Sequence, residues 1–349
     1  MRERMLEACE SKWDIVKNFI PSWFASVMGT GIFAISSWMY SVYILVLKYV
    51  AIGLFYLNII MFFIFLIPWT LRWILFPKDA LADLEHPVLS SFYPTIAVAM
   101  LVLASDLILI GHNIDIAKYF WAFGAIGMLL FSLIVPYYMF KSESIKLDHV
   151  NPGWYIPPVG LIVVSIAGSL IIPHLSGILY EVAVIINYYC WGSGFFLYLA
   201  LLAIVIYRFI LHHPLPSELS PTIWINLGPI GAGIIALINL VNNSPFISVK
   251  EPFYIFSLLF WGFGVWWVLM AIIMTIHYVK KLKLPYGMPW WAFIFPLGAY
   301  VASSHMVYNI FQYIIIDYIG FVLYWLLFGL WTITFIKTVI ATYHGYSFK

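Results

Sequence analysis

Ten long apolar stretches divide this chain, and short segments rich in polar, charged, Pro and Gly residues separate them. Because a helix needs about 20 mostly apolar residues to cross the hydrocarbon core of a bilayer, each stretch is predicted to be a transmembrane helix. The predicted all-α membrane domain covers residues 20–341, between a segment at 1–19 that includes a short surface helix and a tail at 342–349. The ten spans are residues 20–39, 44–71, 88–110, 117–140, 154–172, 179–210, 221–241, 252–279, 289–310 and 315–341.

Every odd-numbered span opens with an aromatic residue followed by Pro or Gly. The openings read PSWFASVMGTG, SSFYPTIA, PGWYIPPVG, PTIWINLGPIGAG and PWWAFIFPLGA. Their anchor residues are Gly29, Pro94, Pro158, Pro229 and Pro296, at intervals of 65, 64, 71 and 67 residues. Such regular spacing indicates an internal repeat of one two-helix hairpin. We therefore predict five helical hairpins in quasi-five-fold arrangement around a central pore.

The two helices of each hairpin are expected in different places. A proline within a span leaves a carbonyl without its helical partner, which only protein or a water-filled cavity can satisfy. The kinked odd helices should therefore form an inner ring, and the Leu/Ile/Phe-rich even helices should be regular and face lipid. The alternative is that these prolines are incidental, since Pro and Gly are common in membrane helices.

Helical spacing then predicts which residues line the centre. The first and fifth spans carry small and hydroxyl residues in a stripe, and the ninth carries a mostly small stripe interrupted by Phe295, which predicts a narrow bore closed by one aromatic gate. Phe293 is the second choice for the gate. Tight helix packing is the competing explanation of the small residues. The predicted lining and kink residues are Trp23, Ser26, Gly29, Thr30, Gly31, Pro94, Thr95, Pro158, Ser165, Ser169, Pro229, Gly231, Pro296, Ala299 and Ala302.

Composition excludes a soluble enzyme. The chain has 349 residues, of which 64% are hydrophobic and 9% charged, whereas a soluble domain carries about 25% charged residues. Its two cysteines, Cys9 and Cys190, argue against a disulfide scaffold or a cysteine-based metal site. The GPIGAG run at residues 228–233 lies inside an apolar span with no strand before it, so it does not predict a nucleotide loop. No catalytic residue, cofactor, metal site or nucleic-acid partner is predicted.

The distribution of Lys and Arg predicts the orientation. With the N-terminus inside, 14 basic residues fall on the inner side, and only Lys48, Lys118 and Lys250 fall outside. Cytoplasmic loops carry an excess of basic residues, so both termini are predicted to be cytoplasmic. No ring of Lys or Arg appears at mid-membrane depth. Selectivity must then come from backbone dipoles, hydroxyls and a weak overall field.

Two motifs resemble a known family of transporters. PSWFASVMGTGIFAISS at residues 21–37 is similar to the opening signature of the tellurite-resistance/dicarboxylate transporter family, and WWAFIFPLGAY at 290–300 resembles its ninth span. The family includes malate permeases, sulfite exporters and plant slow-type anion channels. The resemblance implies a plasma-membrane homotrimer, a pore of five inner helices in each protomer, and a gating phenylalanine that matches Phe295 best.

The leading functional hypothesis is anion transport, with C4-dicarboxylates such as malate first. Small inorganic anions, as in an anion channel or a sulfite or tellurite-type exporter, come second. A membrane-embedded enzyme would need convergent acids or metal ligands at one depth, which the sequence does not offer. A membrane sensor that transports nothing is the remaining alternative, and a sealed centre would favour it.

Overall fold

The computed structural model describes residues 9, 11, 13–282 and 284–348, and all regular elements in this part of the chain are helices. Residues 1–8, 10 and 12 of the predicted N-terminal segment lie outside the described residues, as does Lys349 of the predicted tail. The α-helices are α1 (Trp13–Lys17), α2 (Phe24–Tyr40), α3 (Val46–Leu75), α4 (Pro77–Glu85), α5 (Thr95–Leu109), α6 (Ile114–Lys141), α7 (Ile156–Ile171), α8 (Gly177–Leu211), α9 (Leu227–Asn243), α10 (Glu251–Lys281), α11 (Ile294–Phe311) and α12 (Ile314–His344).

Eight of these helices, α3, α5 to α10 and α12, are long and apolar enough to cross a membrane. The chain is therefore a multi-pass membrane protein. The two other predicted spans correspond to α2 and α11, which do not reach this standard in the described part of the chain. Both contain several small and hydroxyl residues. The assignment of ten spans as five hairpins around a pore stays a prediction at this point.

The helices fall into a buried set and an exposed set. In the most apolar stretch of α5, α7 and α9, 78 to 94% of the residues are buried, against 22 to 33% in α3, α6, α8, α10 and α12. In α2, 14 of the 17 residues are buried, and in α11, 12 of the 18. Large apolar side chains such as Phe140, 85% exposed, and Ile210, 73% exposed, project from the exposed set. Lipid is the solvent that such a surface requires.

The five buried helices contact one another in a closed cycle. α2 packs against α5, α5 against α7, α7 against α9, α9 against α11, and α11 again against α2. Each of the five also packs against the helix that follows it, namely α3, α6, α8, α10 and α12 respectively. This order places the short helices inside and the long helices outside.

The repeated aromatic and proline openings form 3₁₀ turns that lead into the buried helices. These turns are Pro21–Trp23, Leu89–Phe92, Pro152–Tyr155, Ser217–Asn226 and Met288–Phe293. Pro94 is the N-cap of α5, and Pro158, Pro229 and Pro296 each occupy the third position of their helix.

The predicted kinks at the openings of the odd spans therefore take another form at the four prolines, which lie at the start of an α-helix that follows a 3₁₀ turn. A proline in the first helical turn removes an N–H that has no helical partner in any case, so it costs little there. The expectation that the long helices are regular also needs correction. Pro68 lies inside α3 and Pro136 inside α6.

Candidate functional site

A cavity of about 190 Å³ lies at the centre of the cycle of buried helices. All five contribute to its wall, which shows that the cycle encloses a space. Its lining residues are Ile32, Ile35, Met39, Val102, Ser105, Leu109, Val163, Ile166, Leu170, Ile235, Asn239, Phe295, Ala299 and Met306.

The wall is apolar except at two positions. The Ser105 hydroxyl donates its one proton to Leu101 O at 3.2 Å. The side-chain amide of Asn239 is half-buried and makes no hydrogen bond within the described part of the chain. Neither Ser105 nor Asn239 was predicted from the sequence to line the centre. A single polar residue on an apolar helix does not indicate that a polar residue of another helix lines the same cavity.

A second, smaller cavity of about 40 Å³ lies at the N-terminal ends of the same helices. Its wall includes Ala25, Thr95, Ile156, Gly228 and Pro296, one residue from the first turns of each of the five buried helices. The 3₁₀ turns before these helices accept their first backbone N–H groups, as in Phe24 N–H to Pro21 O and Ile156 N–H to Gly153 O, but each helix N-terminus still carries about half a positive charge. Five such termini therefore surround this space.

Phe295 separates the two cavities. Its side chain is 5% exposed and, among the described residues, it alone lines both spaces. The ring extends from α11 towards α9, because its Cε1 atom lies 3.8 Å from where a Cβ on Gly228 would stand. An apolar ring between two cavities is the geometry of a hydrophobic constriction.

Phe293 faces elsewhere. Its ring packs edge-on against Trp224 at 5.7 Å and against Trp290 at 5.9 Å, and it lines neither cavity. Of the two candidate gates, the structure places only Phe295 between the cavities.

The predicted hydroxyl lining is wrong for the first and fifth spans. Thr30 Oγ1 accepts a hydrogen bond from Trp331 Nε1 of α12, and Ser165 donates to Asn187 O of α8. Ser26 and Ser169 donate to carbonyls three residues back, Trp23 O and Ile166 O. These hydroxyls form their hydrogen bonds with outer helices or with the backbone of their own helix. The side chains of Ile32 and Ile35 take the cavity face of α2, about 200° and 140° around the helix from Thr30.

The predicted glycines serve close helix packing, which was the alternative explanation of the small residues. A Cβ on Gly231 would lie 2.4 Å from Ala299 C of α11, and one on Gly29 would lie 3.1 Å from Ile294. A Cβ on Gly31 would lie 2.7 Å from Asp106 Oδ2.

Of the other predicted lining and kink residues, some line a cavity and some do not. Thr95, Pro296 and Ala299 line a cavity. Trp23 instead stacks between Phe19 and Phe348. The remaining buried positions that line neither cavity are Pro94, Pro158, Pro229 and Ala302.

The acidic residues of the spans lie away from the two cavities. Asp106 is fully buried and accepts a hydrogen bond from Asn58 Nδ2 at 3.0 Å. Asp317 is equally buried and meets His305 Nδ1 at 3.0 Å and the Tyr43 hydroxyl. Neither cavity has a charged residue in its described lining. The described residues contain no group of three His, Cys, Asp or Glu side chains that could hold a metal ion.

Comparison with known proteins gives one family and several relatives. The family model described as voltage-dependent anion channel matches residues 18–339. An uncharacterized transporter of Methanocaldococcus jannaschii is 74% identical over 99% of this chain and 99% of its own length. A sulfite efflux pump of Arthroderma otae is 27% identical over 97% of this chain and 94% of its own. A malic acid transport protein of Schizosaccharomyces pombe is 20% identical over 82% of this chain and 70% of its own.

Proposed function

Because this chain belongs to the voltage-dependent anion channel family and is a membrane anion transporter, we propose that its cargo is a small inorganic anion of the sulfite class. The anion passes along the axis of the five buried helices, and Phe295 is the gate. The observation that carries the proposal is the position of Phe295 between two cavities, each lined by all five helices.

The proposed pathway requires α2 and α11 to cross the membrane with the other eight helices. Two observations support this assignment. Both helices belong to the closed cycle of contacts, and both contribute to the wall of the central cavity. That α2 and α11 fall short of the length and hydropathy of the other spans is no obstacle, since they are shielded from lipid by α3 and α12. Ten spans with both termini cytoplasmic also agree with the excess of basic residues on one side.

Helix dipoles supply the attraction for an anion. The N-termini of α2, α5, α7, α9 and α11 converge on the smaller cavity, which lies on the cytoplasmic side in the proposed orientation. Their partial positive charges favour an anion without holding it as tightly as a fixed cation would. Beyond Phe295, the side-chain N–H groups of Asn239 are the donors that can replace part of the hydration shell of an anion, because Ser105 uses its one donor on Leu101 O. Weak, distributed binding of this kind favours throughput.

Two arguments place an inorganic anion ahead of malate, which reverses the order expected from the sequence. The central cavity of about 190 Å³ is small, whereas pockets for organic ligands usually measure about 300–1,000 Å³. The relative named for sulfite efflux also resembles this chain over more of its length than the one named for malic acid transport. Malate remains the second candidate because of the latter relative.

Flux into liposomes tests the proposal. Purified protein should carry sulfite down its gradient, carry malate more slowly, and carry no potassium. Asn239→Leu should lower sulfite flux, because it removes the amide from the cavity wall, and Asn239→Gln should retain part of it. Asn242→Leu is the matched control at the exposed end of α9. Malate flux equal to or above sulfite flux would contradict the assigned cargo.

We further propose that the protein resides in the cell membrane as a homotrimer with one pathway in each protomer. The support is the family resemblance of the first and ninth spans. Mass measurement in detergent, with the bound detergent subtracted, tests the oligomeric state.

A further inference from the structure

Arg208 is a buried cation near the C-terminal end of α8. Its side chain is 2% exposed, and its Nη1 donates to His213 O at 2.7 Å. Its Nε is buried and has no partner. Within the described part of the chain, no carboxylate lies within 4.0 Å of the guanidinium, because none of the ion pairs there includes Arg208.

Arg72 occupies the equivalent place at the end of α3 and provides an internal comparison. Its side chain is 3% exposed, and its Nη1 also donates to a backbone carbonyl, Phe19 O. Arg72 differs in having an acid, since its Nη2 lies 2.6 Å from Asp83 Oδ2. A guanidinium stays charged in proteins, and a buried charge needs a counter-charge. For Arg208 the described part of the chain does not supply one in direct contact.

The charge of Asp148 acts on Arg208 from beyond 4.0 Å, but this carboxylate is paired with another residue. Asp148 Oδ1 lies 2.7 Å from His212 Nε2, and the Asp148 side chain is 70% exposed. The adjoining end of α10 adds two cations, Lys280 and Lys281, in its last turn. The C-terminal ends of α8 and α10, with Asp148 beside them, therefore carry more positively than negatively charged side chains.

Arg208 also lines a groove of about 440 Å³ between α8 and α10. The walls are mainly apolar and include Trp266, Met270 and Met274. Two aromatic residues of the groove use their polar atoms within the protein, since Trp267 donates to Ile223 O and Tyr278 to Leu215 O. The rings of Trp267 and Tyr278 therefore present apolar surface to the groove. Trp266 and Ile210 are exposed, so the groove opens towards the bilayer.

We propose that this groove is a binding site for a phospholipid with an anionic headgroup, whose phosphate is the missing counter-charge of Arg208. One acyl chain lies along the groove between α8 and α10, and the headgroup lies at the cytoplasmic interface beside the α10 lysines. Basic pockets between membrane helices on this side are suited to anionic lipid headgroups. A guanidinium also matches phosphate by two parallel hydrogen bonds. Nε is unpartnered in Arg208 and in Arg72 alike, so what distinguishes Arg208 is that no carboxylate contacts it.

Native mass spectrometry of the full-length protein in an uncharged detergent tests the site. The probes are phosphatidylglycerol, phosphatidylcholine and inorganic phosphate. Phosphatidylglycerol should bind the wild type at least tenfold more tightly than phosphatidylcholine. Arg208→Gln should weaken its binding by about tenfold to a hundredfold, the range for charge-assisted hydrogen bonds. Gln keeps a donor for His213 O, and Arg208→Lys should retain much of the binding because it keeps the charge.

A second variant tests the contribution of the groove separately from that of the Arg208 charge. Met270→Trp fills the groove and leaves Arg208 in place, so it should also reduce phosphatidylglycerol binding at least tenfold, and it decides the matter if Arg208→Gln does not fold. Lys17→Gln, which changes a half-exposed lysine of α1 outside this groove, is the control and should change binding by less than about threefold, as surface substitutions usually do.

Several outcomes would overturn the proposal. Unchanged phosphatidylglycerol binding by Arg208→Gln or Met270→Trp would do so, as would equal affinity for phosphatidylcholine. Inorganic phosphate that competes as well as the lipid would mean an ion site only. A change of oligomeric state in Met270→Trp, with lipid binding retained, would assign the groove to a second copy of the chain.

Discussion

Replacing Gly231 by alanine tests whether α9 and α11 must lie as close together as the structure places them. The added Cβ would stand 2.4 Å from Ala299 C, 2.5 Å from Tyr300 N and 2.6 Å from Ala299 O. All three atoms belong to the α11 backbone, so no side-chain rotation can relieve the clash. Ordinary carbon contacts lie at about 3.5–4.0 Å. The helices must therefore separate by about 1 Å.

The cost can be isolated with a matched control. A Cβ on Gly192, in α8, would meet nothing within 4 Å. Both substitutions gain about 0.5–1 kcal/mol from the better helix propensity of alanine. The difference between them therefore reports the steric term alone, about 1–3 kcal/mol for overpacking in a close-packed interior. Gly231→Ala should be less stable than Gly192→Ala by that amount.

The assay is equilibrium unfolding of both variants in detergent, followed by tryptophan fluorescence, together with anion flux in liposomes. Ala299 lines the central cavity next to the gate, so displacement of α11 should also raise leak through folded Gly231→Ala protein. Equal unfolding free energies for the two variants would refute the close contact between α9 and α11. The closed cycle of buried helices depends on that contact.

Three further predictions concern the ends of the spans. Asp317→Asn should destabilise the protein by about 1–3 kcal/mol in detergent unfolding, because a buried carboxylate that accepts two hydrogen bonds is lost. Arg72→Gln should cost about 3 kcal/mol, the lower end for a broken buried ion pair, since Asp83 is 16% exposed and can be hydrated. Cysteines introduced at Lys146 and Lys250 should react with an impermeant reagent from opposite sides of the membrane, because the predicted topology places these loops so.

Each of these has a control and a contrary outcome. Asp115→Asn changes an 84% exposed carboxylate and should alter stability by less than about 0.5 kcal/mol, as should Lys17→Gln, whose side chain is 49% exposed. Stability losses no larger than those of the controls would show that the buried pairs contribute little. The labelling experiment uses protein without Cys9 and Cys190, and reaction of both sites from one side would refute the orientation.

Helix existence was predictable from the sequence because length and hydrophobicity suffice in a membrane. The sequence did not show which face of each helix points towards the central axis. Nearly every position of α2 is buried, so a stripe through Thr30 can face either the axis or an outer helix, and only Trp331 of α12 decides between them. The same ambiguity explains why Ser165 was placed on the wrong side.

The polar groups of the cavity wall depend on tertiary contacts that no local pattern reveals. Ser105 and Asn239 lie on different helices and meet only because the cycle closes. Phe295 was easier to identify, because it interrupts a mostly small stripe on its own helix, and its role as a gate remains a prediction. The prolines lie at the openings of the odd spans, as predicted, but spacing along the chain did not show that each follows a 3₁₀ turn and begins an α-helix.

Anion flux through Phe295→Ala liposomes tests the central claim most directly. The variant should remain folded and assembled by size-exclusion chromatography, although a large-to-small change in a soluble core costs about 3–5 kcal/mol. Removing the ring joins the two cavities and readmits water, so flux should rise well above wild type. Phe293→Ala is the internal control and should leave flux unchanged, because that ring packs on Trp224 and Trp290. Unchanged flux through well-folded Phe295→Ala, or a rise for Phe293→Ala alone, would contradict the account.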